Sequence, residues 1–329
     1  MRGGGIFKRA IGRSGMEISA MGLGCWAIGG PFWKKGEPVG WGNVNDAESI
    51  TAIHRALDMG VTFFDTAAVY GCGHSERILG KALADHRKQV VIATKFGQVF
   101  DEDTRQVLGY NTDPESILKE CDASLRRLNT DCIDLYQLHV KGVDKIHVIV
   151  IRETLERLVT EGKIRFYGWS TDDAERASLF GEGQHCTAIQ QRLNIFEGDV
   201  RTLEVCEQLD LASINRSPLG MGLLTGKFTT DTQIPTDDVR SRRPSFQQDR
   251  RRELEKLSQV KDILTQGGRT LAQGSLGWLW ARSQKTIPIP GFKSVAQVEE
   301  NINATNYGPL SEAQMKQIEE VLSGSSSIK

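Results

Sequence analysis

The chain of 329 residues has little that would tie it to a membrane, a nucleic acid or an oxidising compartment. No stretch approaches the ~20 apolar residues that a spanning helix needs, so no membrane partner is expected. The opening residues, Met1-Arg2-Gly3-Gly4-Gly5, lack the apolar core of a secretory signal. Its six cysteines (Cys25, Cys72, Cys121, Cys132, Cys186 and Cys206) form no C-x-x-C pair and no short framework spacing. They read as scattered thiols of a reducing compartment, and the expected location is the cytoplasm. Excess charge is missing too: 41 Lys and Arg face 42 Asp and Glu, a formal charge of -1, which argues against an electrostatic partnership with nucleic acid. His54, His74, His86, His147 and His185 show no H-x-x-x-H or similar metal spacing, and no metal is expected. What is present, 39% hydrophobic and 25% charged residues, is the composition of a folded globular protein.

Periodicity gives the organisation. A hairpin is expected over residues 7–12 and 17–24, and after it short apolar runs alternate with helical patterns, the signature of parallel β/α units. Asn45 and Glu48 fit a capping box ahead of Ile50, Ile53 and Leu57, and Gly60 is a natural left-handed stop. Residues 61–65 read as a buried strand, followed by a helix that Ser75 caps and that turns Ile78, Ala82 and Leu83 inward. Residues 90–95 form the next strand; Asp113-Pro114 then supplies a cap and an N1 proline for a helix carrying Ile117, Cys121, Leu125 and Leu128 on one face. Strands at 133–139, 164–170, 188–193, 212–217 and 286–290 are separated by helical patterns, with a last helix through Val298 and Ile302. Counting residues 21–25 as the first, eight units point to an α/β fold, a (β/α)8 TIM barrel occupying residues 1–329 as a single domain. Residues 220–282 are too long for one loop and helix and read as an insertion between strands 7 and 8, over one end of the barrel. The Ser-rich tail from 323 to 329 is expected to fray.

In such a barrel reactive groups stand at the carboxyl ends of strands. Asp65 ends the second strand and is followed by Tyr70, Lys95 ends the third, and His139 ends the fourth, so four ionisable groups converge from three adjacent strands. A lysine beside a phenol favours the phenolate and lowers its pKa, and an aspartate makes the lysine's burial tolerable. Tyr70 would then donate a proton near neutral pH, with His139 bonded to the same oxygen. The set suits protonation of a carbonyl oxygen while a cofactor brings hydride to carbon.

From about Met21 to Asn301 the sequence resembles the aldo-keto reductase superfamily. The motifs are Gly60-Val-Thr-Phe-Phe-Asp65-Thr-Ala-Ala-Val-Tyr70-Gly, Ala93-Thr-Lys95, Leu138-His139, Gly168-Trp-Ser170, Ser217-Pro-Leu-Gly220 and Ile289-Pro-Gly-Phe-Lys293. The resemblance implies a catalytic tetrad of Asp65, Tyr70, Lys95 and His139, with Tyr70 as acid in reduction and base in oxidation. It also implies a nicotinamide dinucleotide, NADPH/NADP+ in preference to NADH, and a small carbonyl or alcohol substrate. By the same resemblance Ser170 and Gln190 hold the carboxamide, Ser217, Leu219 and Gly222 line the pyrophosphate, and Lys293 and Ser294 meet the 2′-phosphate, with Asp65 and Gly291 also in the cofactor site. Gln297, Glu300 and Asn301 fall near the adenosine, and Gly24, Cys25 and Trp26 close the site. Arg216 stands where an aromatic commonly stacks on the ring, and Thr171 replaces the second residue of a common Ser-Asn pair.

Other readings are distinguishable. Gly22-Leu-Gly24-Cys-Trp-Ala27 matches a dinucleotide fingerprint superficially, but no helix opens after it. Trp26, Phe32, Trp33 and Trp41 either pack the barrel mouth or wall the substrate. The charged run 238–256, with Arg240, Arg242, Arg243 and Arg250-Arg-Arg252, is either a solvated face or a clamp over the cofactor. A slow-turnover nicotinamide-binding sensor on the same fold is the alternative function. A metal-dependent isomerase is a third reading, and it lacks enough strand-end ligands.

Overall fold

The computed structural model describes residues 6–324. The leader reading at residues 1–5 and the last part of the tail reading, residues 325–329, lie outside them.

In chain order the elements are β1 (Lys8–Ala10), β2 (Glu17–Ser19), β3 (Leu23–Gly24), β4 (Trp33–Lys34), β5 (Glu37–Pro38), α1 (Asp46–Asp58), β6 (Phe63–Asp65) and α2 (His74–Leu83). Then come β7 (Val91–Phe96), β8 (Gln98–Asp101), β9 (Gln106–Tyr110), α3 (Pro114–Leu128), β10 (Ile133–Leu138), α4 (Lys145–Thr160), β11 (Ile164–Ser170) and α5 (Ala174–Gly181). The rest are β12 (Cys186–Asn194), β13 (Glu197–Gly198), α6 (Val200–Gln208), β14 (Ala212–Arg216), α7 (Arg250–Leu264), α8 (Leu271–Arg282), β15 (Thr286–Pro288), α9 (Val295–Asn303) and α10 (Glu312–Gly324).

The parallel strands follow the order β3-β6-β7-β10-β11-β12-β14-β15, so each is hydrogen-bonded to the next in its own sequence. The ring closes where Gly24 bridges Gly291, with Gly22 N–H donating to Pro288 O at 3.0 Å and Gly24 N–H to Pro290 O at 3.0 Å. This is the (β/α)8 barrel. Phe63, Val91, Ala93, Leu135, Ala188, Ala212, Ile214, Ile287 and Ile289 fill its interior, and the β1–β2 hairpin plugs the amino-terminal end with Ile11, Met16 and Ile18. Arg13 fastens that plug: its guanidinium donates to Cys186 O at 3.0 Å and to Gly181 O and Gly183 O at 2.6 Å each.

Several local expectations change. The Asn45 side chain caps α1 by accepting from Glu48 N–H, and Gly60 follows the helix at φ 90°. Ser75 is not a cap: α2 starts after Gly73, and the Ser75 hydroxyl instead bonds Cys25 O and the Thr66 hydroxyl, each at 2.8 Å, tying the helix to β3 and the loop after β6. Pro114 does open α3, but the Asp113 side chain makes no capping bond; Asn111 accepts from Asp113 N–H at 2.8 Å instead. Residues 99–111 are the β8–β9 hairpin, which joins β4 and β5 in a second sheet of order β5-β4-β9-β8.

The stretch 220–282 is only partly an insertion. Its last portion, α8, is the barrel's own helix before β15, with Ala272 through Trp280 buried without a break. A helix apolar on every side gives no amphipathic stripe, which is why its pattern does not stand out. Thr270 and Gln273 form its capping box. The remainder lies across the carboxyl end, where Trp41 bridges Asp238 and Val239 N–H donates to Gly40 O at 2.8 Å. Among the described residues no helix is long and apolar enough to cross a membrane.

The plug depends on Gly12, whose φ is 49° and whose missing Cβ would stand 2.4 Å from Thr187 O and 2.6 Å from Asp210 O. Gly12→Ala combines left-handed strain with a clash against two backbone oxygens. Urea denaturation of that variant is expected to show a loss of about 3 kcal/mol or more; a loss below ~1 kcal/mol would mean that the plug does not depend on this close approach.

Candidate active site

Side chains alternate across a strand, so the residues two beyond the interior-facing core residues also face the interior. By that parity Phe63 leads to Asp65, Ala93 to Lys95, Leu135 to Gln137 and His139, Ala188 to Gln190 and Ile214 to Arg216. All lie toward the carboxyl ends, above the apolar layers.

Lys95 and Asp65 are 1% and 2% exposed. The Lys95 ammonium donates to Asp65 Oδ1 at 2.5 Å, to Thr66 O at 2.7 Å and to the Tyr70 phenol oxygen at 3.4 Å. The other Asp65 oxygen accepts from Gln137 Nε2 at 2.9 Å and Gln190 Nε2 at 2.7 Å, and Gln190 Nε2 also reaches Gln137 Oε1 at 3.2 Å. Burial works against the Lys95 ammonium, but Asp65 and Tyr70 outweigh it and hold its pKa above the usual value. Lys95 therefore stays charged.

Two expectations about the phenol are corrected here. Burial pushes the Tyr70 phenol above its ordinary value; Lys95 pulls it down without prevailing, and Asp65 opposes Lys95. His139 is not bonded to the phenol oxygen: the two rings meet edge to face at a centroid distance of 5.9 Å. Its Nδ1 is buried with no hydrogen-bond partner. Burial, then the charges of Lys95, Arg216 and Lys141, drive the imidazole well below the usual histidine range, so it is neutral. Trp26 stacks on Tyr70 at 5.9 Å, stands edge-on to Trp41 at 5.4 Å and donates its indole N–H to Val39 O at 3.1 Å. Phe32 is buried beneath this wall and Trp33 belongs to β4.

Of the residues assigned by resemblance to the cofactor, Gly24 and Gly291 form the barrel seam and Cys25 is buried, its N–H bonded to Asp65 O. Ser170, the last residue of β11, pairs in register with Gln190 in the middle of β12, but the Gln190 amide nitrogen is committed to Asp65. Arg216 is ion-paired with Asp172. Beyond β14 the backbone takes left-handed φ at Ser217, Gly220, Met221 and Gly222, giving a concave loop that includes Leu219. The N–H groups of Gly220 and Gly222 are spent within it, on Ser217 O at 2.9 Å and Leu219 O at 2.8 Å, which fixes the shape of the turn. A Cβ on Gly222, where φ is 103°, would press on Phe228 and Lys227 and stand 3.7 Å from Arg240 Nη1.

Across that loop stand Lys293, Ser294, Gln297, Glu300 and Asn301. Lys293 Nζ donates to Trp41 O at 2.5 Å and Asn43 O at 3.2 Å, Ser294 caps α9, Gln297 accepts from Lys293 N–H at 2.7 Å, and Asn301 is buried. Glu300 is near enough to act electrostatically on Lys227. The charged run 238–256 is not a plain solvated face. Arg240 sits against the rings of Trp41, Phe228 and Phe246 at 4.8, 5.3 and 5.8 Å, held by Asp238 at 2.6 Å.

The sequence reading missed Gln137, although its parity with His139 was available, and it missed Glu120. That carboxylate accepts from Gly97 N–H at 2.6 Å, where β7 turns toward β8, and burial pushes it up to about 7.

Comparison with known proteins gives the family of the chain. The profile of the Aldo/keto reductase family matches residues 20–323. The chain belongs to that family. It is 32% identical over 324 residues to aldo-keto reductase YakC [NADP(+)] of Schizosaccharomyces pombe, covering 96% of this chain and 91% of that one. It is also 32% identical over 311 residues to aldo-keto reductase YhdN of Bacillus subtilis, covering 93% and 90%. Among solved structures it is similar to glycerol dehydrogenase AKR11B4 of Gluconobacter oxydans, with a TM-score of 0.84, 32% identity and coverage of 96% and 95%.

Two outcomes follow for this aldo/keto reductase. Lys95→Met or Asp65→Asn alone leaves a buried group without its partner and is expected to cost about 3–5 kcal/mol in urea unfolding. The double variant should lose less than the sum of the two; strict additivity would show that the pair is not coupled. Glu120 has a folded pKa above its unfolded one, so its favourable contribution is complete below about pH 4.5 and lost as pH rises through about 7. Glu120→Gln keeps an acceptor for Gly97 and should gain up to about 2 kcal/mol on the wild type between pH 5 and pH 8. A parallel pair of stability–pH curves would contradict that titration.

Proposed function

We infer that this aldo/keto reductase reduces aldehydes or ketones to alcohols, and catalyses the reverse oxidation, with NADPH/NADP+ as its redox partner. The observation that carries the reading is the line from Asp65 through Lys95 to the Tyr70 oxygen, with Lys95 Nζ at 2.5 Å and 3.4 Å from its two side-chain partners. The relative from S. pombe, whose name specifies NADP(+), supports the choice of dinucleotide.

The loop of Ser217, Leu219 and Gly222 would hold the diphosphate, Lys293 and Ser294 the 2′-phosphate, Gln297, Glu300 and Asn301 the adenosine, and Ser170, Gln190 and Arg216 the nicotinamide end. When bound, the reduced nicotinamide supplies a hydride to the carbonyl carbon. Tyr70 delivers a proton to the carbonyl oxygen. Its raised pKa keeps the phenol loaded at neutral pH, and the developing alkoxide is a stronger base than the phenolate, so transfer proceeds as negative charge builds on oxygen. Lys95 stabilises the phenolate left behind, Asp65 fixes Lys95, and solvent restores the proton. Neutral His139 orients the carbonyl by hydrogen bonding to its oxygen. In oxidation the phenolate must form first, so the reverse reaction is favoured as pH rises.

Tyr70→Phe is expected to lower kcat for aldehyde reduction by about a thousandfold or more, on the scale of a positioned proton donor. NADPH affinity, followed by quenching of tryptophan fluorescence, should stay within twofold. The wild-type reduction rate should be nearly flat between pH 6 and 8 while oxidation rises. Retained turnover in the variant would remove Tyr70 from the acid's role; tight NADPH binding with no turnover by the wild type on any carbonyl would favour the sensor.

A further inference from the structure

Two groups of cations flank the barrel mouth; the reductase reading draws on the first and, of the second, uses Arg216 alone, at the nicotinamide end. Lys227, Arg240 and Lys293 stand beside the diphosphate loop, with Asp238 and Glu300 close by. The second group lies at the reacting end. Arg192 and Arg216 are partners in register at the ends of β12 and β14, so two guanidinium stems project on one face at about the 4.8 Å spacing of neighbouring strands. Lys141 follows His139 by two residues, and Arg243 comes from the segment laid over the face.

Carboxylates are too few to match them. Asp172 takes the Arg216 guanidinium and the Arg192 backbone N–H, and Glu197 takes Arg192 Nη1 at 3.2 Å. Arg192 Nε is buried with no partner. Neither Lys141 nor Arg243 has a carboxylate within ion-pair distance among the described residues. These cations feel one another: burial and then Arg216 depress the Lys141 ammonium, with Arg192 and Arg243 adding to it, while Asp172 opposes. Arg192 and Arg216 act likewise on Arg243, against Glu197. The same field reaches the chemistry, because Arg216 acts on Tyr70 and both Arg216 and Lys141 act on His139. Like charges gathered in a cleft raise the local concentration of an anion and offer it directed donors.

We propose that Lys141, Arg192, Arg216 and Arg243 form an anion subsite for the substrate, so that the preferred carbonyl compound carries a carboxylate or phosphate group. The proposal rests on the reductase reading. Its test compares matched pairs in the presence of NADPH: glyceraldehyde 3-phosphate against glyceraldehyde, and 4-carboxybenzaldehyde against its methyl ester. In the wild type the charged member of at least one pair should show kcat/KM at least ~10-fold higher, the worth of one charge-assisted hydrogen bond. That ratio should fall about tenfold in Arg243→Gln and in the exposed-site variant Lys141→Gln, chiefly through KM, and should shrink as salt rises. Which pair responds tells phosphate from carboxylate.

Equal kcat/KM within both wild-type pairs, or a ratio unchanged in both variants, overturns the proposal and leaves the reductase reading standing. An equal loss of NADPH affinity in the variants also overturns it, by assigning these cations to the cofactor. Where no aldehyde is reduced, the reductase reading fails. Terephthalate binding to the NADP+-loaded protein then decides the subsite, with about tenfold weaker binding in Lys141→Gln supporting it and unchanged binding rejecting it.

Discussion

An ammonium held inside a β barrel constrains everything around it. Burying such a charge is unfavourable by several kcal/mol unless its donors and its counter-ion are both satisfied. Lys95 meets that condition through Asp65, Thr66 O and the Tyr70 oxygen, and Asp65 meets its own through Gln137 and Gln190. These partners come from β6, β7, β10 and β12 and the loop after β6, so the strands must hold one register for the network to close. Gln137 lies opposite Lys95 across β10 and β7, as that register requires. The apolar layers beneath, with the hairpin plug below them, hold the strands in that register.

The same network explains the state of the phenol. Sequence logic treats the lysine as the decisive neighbour of Tyr70, yet in the folded protein desolvation is the larger effect and the aspartate blunts the lysine's charge. The result is a phenol that keeps its proton at rest. His139, held neutral by burial and surrounding cations, contributes no charge of its own. In the proposed reduction, proton transfer would then be coupled to charge development at the carbonyl, which is the timing that reaction needs.

Much of this was legible in the sequence because periodicity and strand-end position are local signals. Eight strands, their sequential order and the placement of Asp65, Lys95 and His139 at their ends follow from alternating runs and from motifs. What escaped depends on distant contacts. Ser75 looks like a cap by composition, but Gly73 takes the left-handed turn and Ser75 serves β3. The α8 helix hides because burial on all sides erases the stripe that marks most helices. Arg240 reads in the sequence as either a solvated charge or a clamp, and what its pattern does not show is its place among the rings of Trp41, Phe228 and Phe246, brought together from segments far apart in the chain. Gln137 is the exception: alternation from His139 was sufficient to find it, and attention to ionisable groups passed over an amide.

Net charge shows how far a global quantity can mislead about a local one. At -1 the chain gives no hint of an anionic ligand, and the average argues correctly only against an extended basic surface. Folding sorts the charges. Many acids are spent on partners around the barrel's flank, as where Asp134 takes Arg87 and Arg165, or Glu76 takes Arg127. At the carboxyl face Asp172 and Glu197 stand against Lys141, Arg192, Arg216 and Arg243, and the balance there is positive. Such crowding opposes folding by self-repulsion, so its position beside Tyr70 and His139 has a physical explanation if an anion relieves it while the carbonyl is in place.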